Sequence, residues 1–174
     1  MDAARGIYDN GVNRPGSTLA QLFPLPADIL DGRMKDGFTY PVAMYDHNDG
    51  QSVTGGFAYH GRIPALRGKF VFGDLARGRV FASDLAAMKK ADDGIPQTVA
   101  PVEEVQLYTR DASGNRTYVS FRELIEAANG ATVTRADLHI SRSRDGELFL
   151  TSRQDGMIRM LVPDGGGTAT ASSR

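Results

Sequence analysis

Short apolar runs alternate with glycine-bearing turns in the middle of the chain. Three runs follow one another, Val53–Tyr59, Lys69–Leu75 and Arg79–Leu85, separated by turns at 60–68 and 76–78. Aromatic and β-branched residues recur along these runs, as they do in strands with one or both faces buried. None of the runs is long enough for a globular helix, and the turns interrupt any 3.6-residue period. The pattern predicts a β-meander of consecutive antiparallel strands.

Four further runs predict more strands in the second half of the chain: Val102–Thr109, Ala136–Ser141, Glu147–Ser152 and Met157–Val162. Asp-Gly steps at 145–146 and 155–156, flanked by alternating apolar residues, are strong hairpin signals. With Val102–Thr109 as an outer fourth strand of the meander, the chain contains nearly two units of four antiparallel strands each. The fold class expected from this pattern is all-β. The side chains expected to be buried between or within the two units are Phe57, Phe70, Phe72, Val80 and Leu148.

One short helix is expected near residue 120. Ser120 and Glu123 have the spacing of a capping box, in which each side chain bonds the other's backbone N–H group. Apolar residues follow at helical spacing, and Asn129-Gly130 ends the helix. A helical turn is also compatible with residues 86–91, before Asp92-Asp93-Gly94 ends it.

The two ends of the chain have little periodicity. Turn residues interrupt 1–40, which predicts a long connection there. The small polar residues of 164–174 predict a disordered tail. The folded part is therefore expected at 41–163. A net charge of −1 provides no electrostatic attraction for nucleic acid or an anionic membrane. No apolar stretch is long enough to cross a bilayer. Neither nucleic acid nor membrane is an expected partner.

A family resemblance rests on three segments of the meander. The segments Ser52–Tyr59 (SVTGGFAY), Ile63–Asp74 (IPALRGKFVFGD) and Gly78–Phe81 (GRVF) resemble the soluble glucose/sorbosone dehydrogenases. That family comprises aldose sugar dehydrogenases that use pyrroloquinoline quinone (PQQ). The resemblance extends less tightly from about Phe38 to Pro163, and it matches only the C-terminal part of such an enzyme.

The resemblance implies a fold, a cofactor and a cellular location. The fold would be a six-bladed β-propeller, of which this chain would supply about two four-stranded blades, with 1–40 as a long inter-blade loop. The intact enzyme would oxidise a small-molecule sugar, an aldose, to a lactone with PQQ and calcium as cofactors. It would be periplasmic or secreted, although the N-terminal residues do not form a signal peptide. This chain alone would be inactive, and its exposed blade faces would meet the rest of the propeller or self-associate.

Two segments carry the cofactor residues that the resemblance implies. A family turn of the type Leu-Lys-Arg-Gly holds the quinone's carboxylates, and here it is Leu75-Ala76-Arg77-Gly78, with alanine in place of the lysine. A second family segment, Arg-x-Arg-Asp, corresponds to Thr134-Arg135-Ala136-Asp137. Arg77 and Arg135 are therefore the candidate cofactor-binding residues. The family's catalytic histidine belongs to an earlier blade, so no catalytic residue is expected here.

Other chemistry finds little support in the sequence. The three histidines, His47, His60 and His139, have no metal-ligand spacing and are expected on the surface. Residues 46–50 (DHNDG) fail the pattern of a calcium loop and fit a tight turn better. No metal ligand is therefore predicted. An alternative function follows from Ala76, because an alanine cannot bind the quinone's carboxylates by charge as the family's lysine does. The alternative is a propeller-derived binding or interaction module without redox activity.

Overall fold

The computed structural model describes residues 41–45, 49–95 and 98–163. Three of the sequence predictions lie outside these residues, wholly or for the most part: the long connection at 1–40, the turn at 46–50 and the tail at 164–174. Contacts divide the chain into two compact units. One contains 1–49 and 83–102, and the other contains 50–82 and 103–174.

The predicted meander forms a four-stranded sheet in the order β1-β2-β3-β4, which confirms the arrangement inferred from the apolar runs. A single 3₁₀ turn at Pro64–Leu66 lies in the connection between the first two strands. The strands are β1 Val53–Ala58, β2 Lys69–Asp74, β3 Val80–Asp84 and β4 Glu103–Glu104.

Both faces of the central strands are buried. Val71 of β2 and Val80 of β3 belong to the main core, while Phe72 on the opposite face of β2 is 6% exposed. Phe72 and Val80 are thus buried as predicted, and so is Leu148. Phe57 and Phe70, also predicted to be buried, are only half-buried.

The predicted strand 102–109 is wrong as a single element. Strand β4 has only two residues, and the chain then forms a separate hairpin of β5 (Tyr108–Arg110) and β6 (Arg116–Tyr118). The carboxylate of Asp111 accepts hydrogen bonds from the backbone N–H groups of Ser113 and Asn115, which fixes the turn between β5 and β6. Strand β6 was missed because its three residues are all exposed and carry no apolar alternation.

The described residues form two short α-helices, where the sequence predicted one helix and indicated a helical turn. Helix α1, Leu85–Ala91, forms where the sequence indicated a helical turn at 86–91, and Asp84 caps its N-terminus by accepting from Ala87 N–H at 2.8 Å. Helix α2, Phe121–Asn129, begins with the predicted capping box and ends at Gly130, which adopts the left-handed conformation. Phe121 and Ile125 of α2 are fully buried.

The unit that contains α1 is small. Ala100 donates its backbone N–H to the carbonyl of Val42 at 2.7 Å, and the Ser83 hydroxyl donates to the Pro101 carbonyl at 2.9 Å. Ala91 and Ala100 are its buried apolar side chains among the described residues. The first hydrogen bond joins the segment 1–49 to the segment 83–102, and the second joins the two ends of the segment 83–102.

The larger unit also contains a three-stranded sheet in the order β7-β8-β9. The turn predicted at 144–146 joins β7 to β8, with Ser143 N–H donating to the Glu147 carbonyl at 2.9 Å. A Cβ atom on Gly73 of β2 would lie 2.7 Å from Leu138 Cδ2, so glycine allows β2 to approach β7 closely. The strands are β7 Leu138–Arg142, β8 Leu148–Ser152 and β9 Ile158–Met160.

A buried polar network ties the loop after β1 to the start of β8. The Tyr59 hydroxyl donates to Glu147 Oε2 at 2.8 Å, and Arg62 donates to Glu147 Oε1 through its side chain at 2.7 Å. Burial alone would raise the pKa of Glu147, but the hydrogen bonds from Arg62 and Tyr59 outweigh it and the pKa is lowered. The carboxylate is therefore satisfied inside the fold.

The described fold is mostly β, with three antiparallel sheets and two short helices, which is consistent with the all-β class. None of the described sheets closes on itself. The sheet β7-β8-β9 contains the three strands predicted after residue 135, and no fourth strand joins it among the described residues. In the described part of the chain, no helix has the length and apolar character needed to span a membrane.

Candidate functional site

The turn that carries Arg77 is built around a buried carboxylate. Asp74, the last residue of β2, is fully buried and accepts hydrogen bonds from the backbone N–H groups of Ser52 and Arg77, at 2.7 and 2.5 Å. Gly78 closes the turn with φ +74°, a conformation that favours glycine. The aspartate that ends the strand therefore fixes the backbone on which Arg77 stands.

The segment that carries Arg135 lies directly against this turn. Ala136 donates its backbone N–H to the carbonyl of Ala76 at 2.8 Å, and Leu138 donates to the carbonyl of Leu75 at 3.0 Å. A Cβ atom on Gly78 would lie only 2.6 Å from the Ala136 Cβ atom. The two segments that the family resemblance singled out are thus neighbours in space, although about sixty residues separate them in sequence.

Asp137 organises the end of the second segment. Its backbone has φ +46°, a conformation that non-glycine residues rarely adopt, and its carboxylate is buried. Arg153 Nε donates to Oδ2 at 2.7 Å and Gln154 Nε2 to the same oxygen at 2.8 Å, while Arg135 Nε lies 3.4 Å from Oδ1. The hydrogen bond from Arg153, above all, holds the pKa of Asp137 below its ordinary value.

The predicted cofactor residues are both exposed. Arg77 and Arg135 flank the hydrogen-bonded pair Ala76 and Ala136, so the structure brings their backbones together. The two alanines are buried, at 7% and 0% exposure. The position where the family has a lysine is therefore part of the packed interior here.

The described residues fit the quinone only in part. The family's lysine position and the position directly before Asp137, an arginine in the family segment, are both buried alanines that can offer a ligand neither charge nor surface. Arg77 and Arg135 are exposed guanidiniums next to those positions and could meet a carboxylate. The lysine contact of the resembling family therefore has no counterpart among the described residues.

Calcium finds no ligand group among the described residues. No cluster of three or more His, Asp or Glu side chains that could hold a metal ion occurs in that part of the chain. His60 and His139 are exposed, as predicted, whereas His47 lies outside the described residues. The calcium of the resembling enzymes would therefore need ligands from elsewhere.

Arg153 and Gln154 also belong to the candidate site, although no sequence motif points to them. In the β7–β8 pairing Leu138 lies opposite Ser152, which places Asp137 and Arg153 at the same end of the hairpin. The Ser152 hydroxyl, which donates to the Ala136 carbonyl at 2.6 Å, holds this end together. The hairpin predicted at Asp145-Gly146 joins these two strands, but its register, which the folded structure shows, determines which residue faces Asp137.

A pocket of about 270 Å³ is lined in part by Gly78, the residue that follows Arg77 in the sequence. Its walls come from the start of β3, the chain after β4 and the N-terminus of α2, and they include Gly78, Arg79, Glu104, Tyr118 and Phe121. Arg79 and Glu104 form a paired contact across it, with Nε–Oε1 at 2.9 Å and Nη2–Oε2 at 2.7 Å. The pocket adjoins the candidate site but is lined by neither Arg77 nor Arg135.

Comparison with known proteins adds no assignment. No protein-family model matches the chain, and no solved structure matches it. The functional interpretation therefore depends on the residues and geometry described above.

Proposed function

We propose that this chain supplies the C-terminal blades of a quinone-dependent aldose dehydrogenase. The observation that supports this proposal is the hydrogen bond from Ala136 N–H to the Ala76 carbonyl. It joins the two segments to which the sequence resemblance independently assigns contact with the quinone. A chance likeness of two distant segments would not require them to lie side by side.

Within this proposal the chain binds and positions but does not catalyse. Arg77 and Arg135 would face the quinone's carboxylates, since guanidinium groups bind carboxylates through charge-assisted hydrogen bonds. The activity of the whole enzyme would be the oxidation of an aldose at C1 to a lactone, in the periplasm or outside the cell. The four-stranded meander β1–β4 has the strand order of a propeller blade, which also supports the proposal.

A second function is favoured by the buried alanines. Ala76 and Ala136 remove two cations from the place where the resembling enzymes hold their quinone. A propeller-derived binding or interaction module without redox activity would have no need of those cations. The two proposals differ in a measurable way, because only the first requires affinity for the quinone.

Titration of PQQ into the full chain with calcium present tests both proposals. A charge-assisted contact contributes about 1.5–3 kcal/mol, so we expect Arg77→Ala and Arg135→Ala each to weaken binding by about one to two orders of magnitude. Arg144→Ala is the matched control, since it removes an exposed arginine from the turn between β7 and β8. If the wild-type chain does not bind the quinone at millimolar concentration, the dehydrogenase proposal is wrong and the binding module is the better one.

A further inference from the structure

We propose that Asp137 holds Arg135 and Arg153 as a paired-guanidinium site for a small anion with two or more carboxylates, and that Arg153 supplies the cation that the alanines remove. This inference deepens the proposed function by adding a ligand-binding residue that directly follows strand β8. Neither the family segments nor the sequence pattern points to Arg153. It rests on the geometry around Asp137.

The two guanidiniums meet opposite oxygens of one carboxylate. Arg153 Nε contacts Oδ2 of Asp137 at 2.7 Å, and Arg135 Nε lies 3.4 Å from Oδ1. The Asp137 side chain is 5% exposed, whereas those of Arg135 and Arg153 are 55% and 80% exposed. A buried carboxylate therefore anchors two arginines whose outer parts reach solvent at the same place.

Both arginines retain donors for a ligand. An arginine has five N–H donors, and Arg153 uses only its Nε–H group on Asp137. In the described part of the chain, the Nη groups of Arg153 make no hydrogen bond, and Arg135 has only its long contact with Asp137. Two guanidiniums against one carboxylate leave a net charge of +1, which favours an anion.

Asp137 is held firmly enough to orient this pair. Gln154 Nε2 donates to Oδ2 at 2.8 Å, and the Ser152 hydroxyl donates to the Ala136 carbonyl on the other side of the residue. The rare backbone conformation of Asp137 is maintained by these contacts. Arginines that are anchored before binding lose less conformational freedom when a ligand arrives, which strengthens binding of a ligand of matching shape.

The ligand class follows from the geometry of the donors. Each guanidinium presents a planar fork that matches a carboxylate, so two neighbouring forks suit an anion with at least two carboxylates. Pyrroloquinoline quinone belongs to this class, and so does citrate, which has no redox activity. Using both as probes separates this inference from the proposed function.

Citrate and PQQ are titrated separately into the full chain by calorimetry, at low salt and at 0.5 M salt. We expect Arg153→Ala to weaken binding of citrate at least about tenfold, with Arg153→Lys intermediate because lysine keeps the charge but loses the fork. Arg144→Ala is the control: it lies in the turn at the other end of the β7–β8 hairpin, about 17 Å away for five residues at about 3.4 Å each. Added salt should weaken wild-type binding.

Each outcome has a defined meaning. Citrate binding that depends on Arg153 and not on Arg144 supports the paired site, and it does so even if the quinone fails to bind, in which case the proposed function alone is wrong. The inference is overturned if the wild-type chain binds neither probe at millimolar concentration. It is overturned equally if Arg153→Ala and Arg144→Ala weaken citrate binding by the same factor.

Discussion

The buried carboxylates of the larger unit act as structural anchors. Asp74 accepts hydrogen bonds from backbone N–H groups of two separate segments. Glu147 accepts hydrogen bonds from the side chains of Tyr59 and Arg62, and Asp137 accepts one from Arg153. A buried carboxylate without such partners would cost several kcal/mol, so each of them must find donors when the chain folds. At the scale of single residues, the polar groups inside this fold determine where loops are attached.

The pH dependence of stability should reveal the anchor at Asp137. The contact with Arg153 lowers the pKa of the folded state below the ordinary value of 3.8. A lowered pKa means that the carboxylate stabilises the fold above about pH 4, and that this contribution is lost as the pH falls through the folded-state pKa. We expect Asp137→Asn to unfold at lower denaturant concentration than wild type at pH 7, with the difference shrinking towards pH 3.

Asparagine is the appropriate replacement for this experiment because it tolerates the positive φ of residue 137. Asp92→Asn, at the exposed end of helix α1, serves as the control and should leave stability nearly unchanged at both pH values. Equal destabilisation by Asp137→Asn at pH 7 and at pH 3 would show that the charge of Asp137 does not stabilise the fold.

Strand β2 packs its side chains on both faces of the first sheet. Val71 is fully buried in the core cluster on one face. On the other face Phe72 stacks on Phe70 with ring centroids 5.9 Å apart, and it lies 5.7 Å from the ring of Phe81. Aromatic pairs at these distances contribute beyond the area that they bury. The alternation along β2 therefore supplies packing on both sides.

Removal of the Phe72 ring tests this arrangement. We expect Phe72→Ala to lower the free energy of unfolding by about 3–5 kcal/mol, because a buried ring is replaced by a cavity. Val53→Ala is the control in urea denaturation, since Val53 is 66% exposed and its truncation should change stability by about 0.5 kcal/mol or less. A neutral Phe72→Ala would mean that the register of β2 is wrong.

On the scale of the whole molecule, strand β9 is an exposed edge. Among the described residues it pairs only with β8, and its neighbourhood presents Met157 and Ile158 at 39% and 69% exposure. Apolar side chains beside unpaired backbone groups favour pairing with another strand. Such an edge is what the proposed place of this chain within a larger propeller would require, and it predicts self-association of the isolated chain.

A lysine on this edge should oppose that association. We expect the wild-type chain to form larger species as its concentration rises in sedimentation velocity experiments, and Ile158→Lys to shift the population towards monomer. Thr132→Lys adds the same charge at an exposed position outside the strands and controls for net charge. A wild-type chain that stays monomeric at high concentration would contradict the prediction.

Local patterns in the sequence determined the elements. Runs of β-branched and aromatic residues specified β1, β2 and β3 closely, and the capping box of Ser120 and Glu123 specified helix α2. These signals act over a few residues, because strand alternation and helix capping depend on neighbours in the chain. For the same reason the sequence placed Arg77 and Arg135 on segments next to strands.

The tertiary structure alone decided what those segments meet. The break between β4 and β5 and the grouping of Arg135 and Arg153 around Asp137 depend on strand register and on backbone contacts between distant parts of the chain. No short-range period encodes such contacts, because their free energy comes from burial and pairing that exist only in the folded chain. The burial of Ala76 has the same origin.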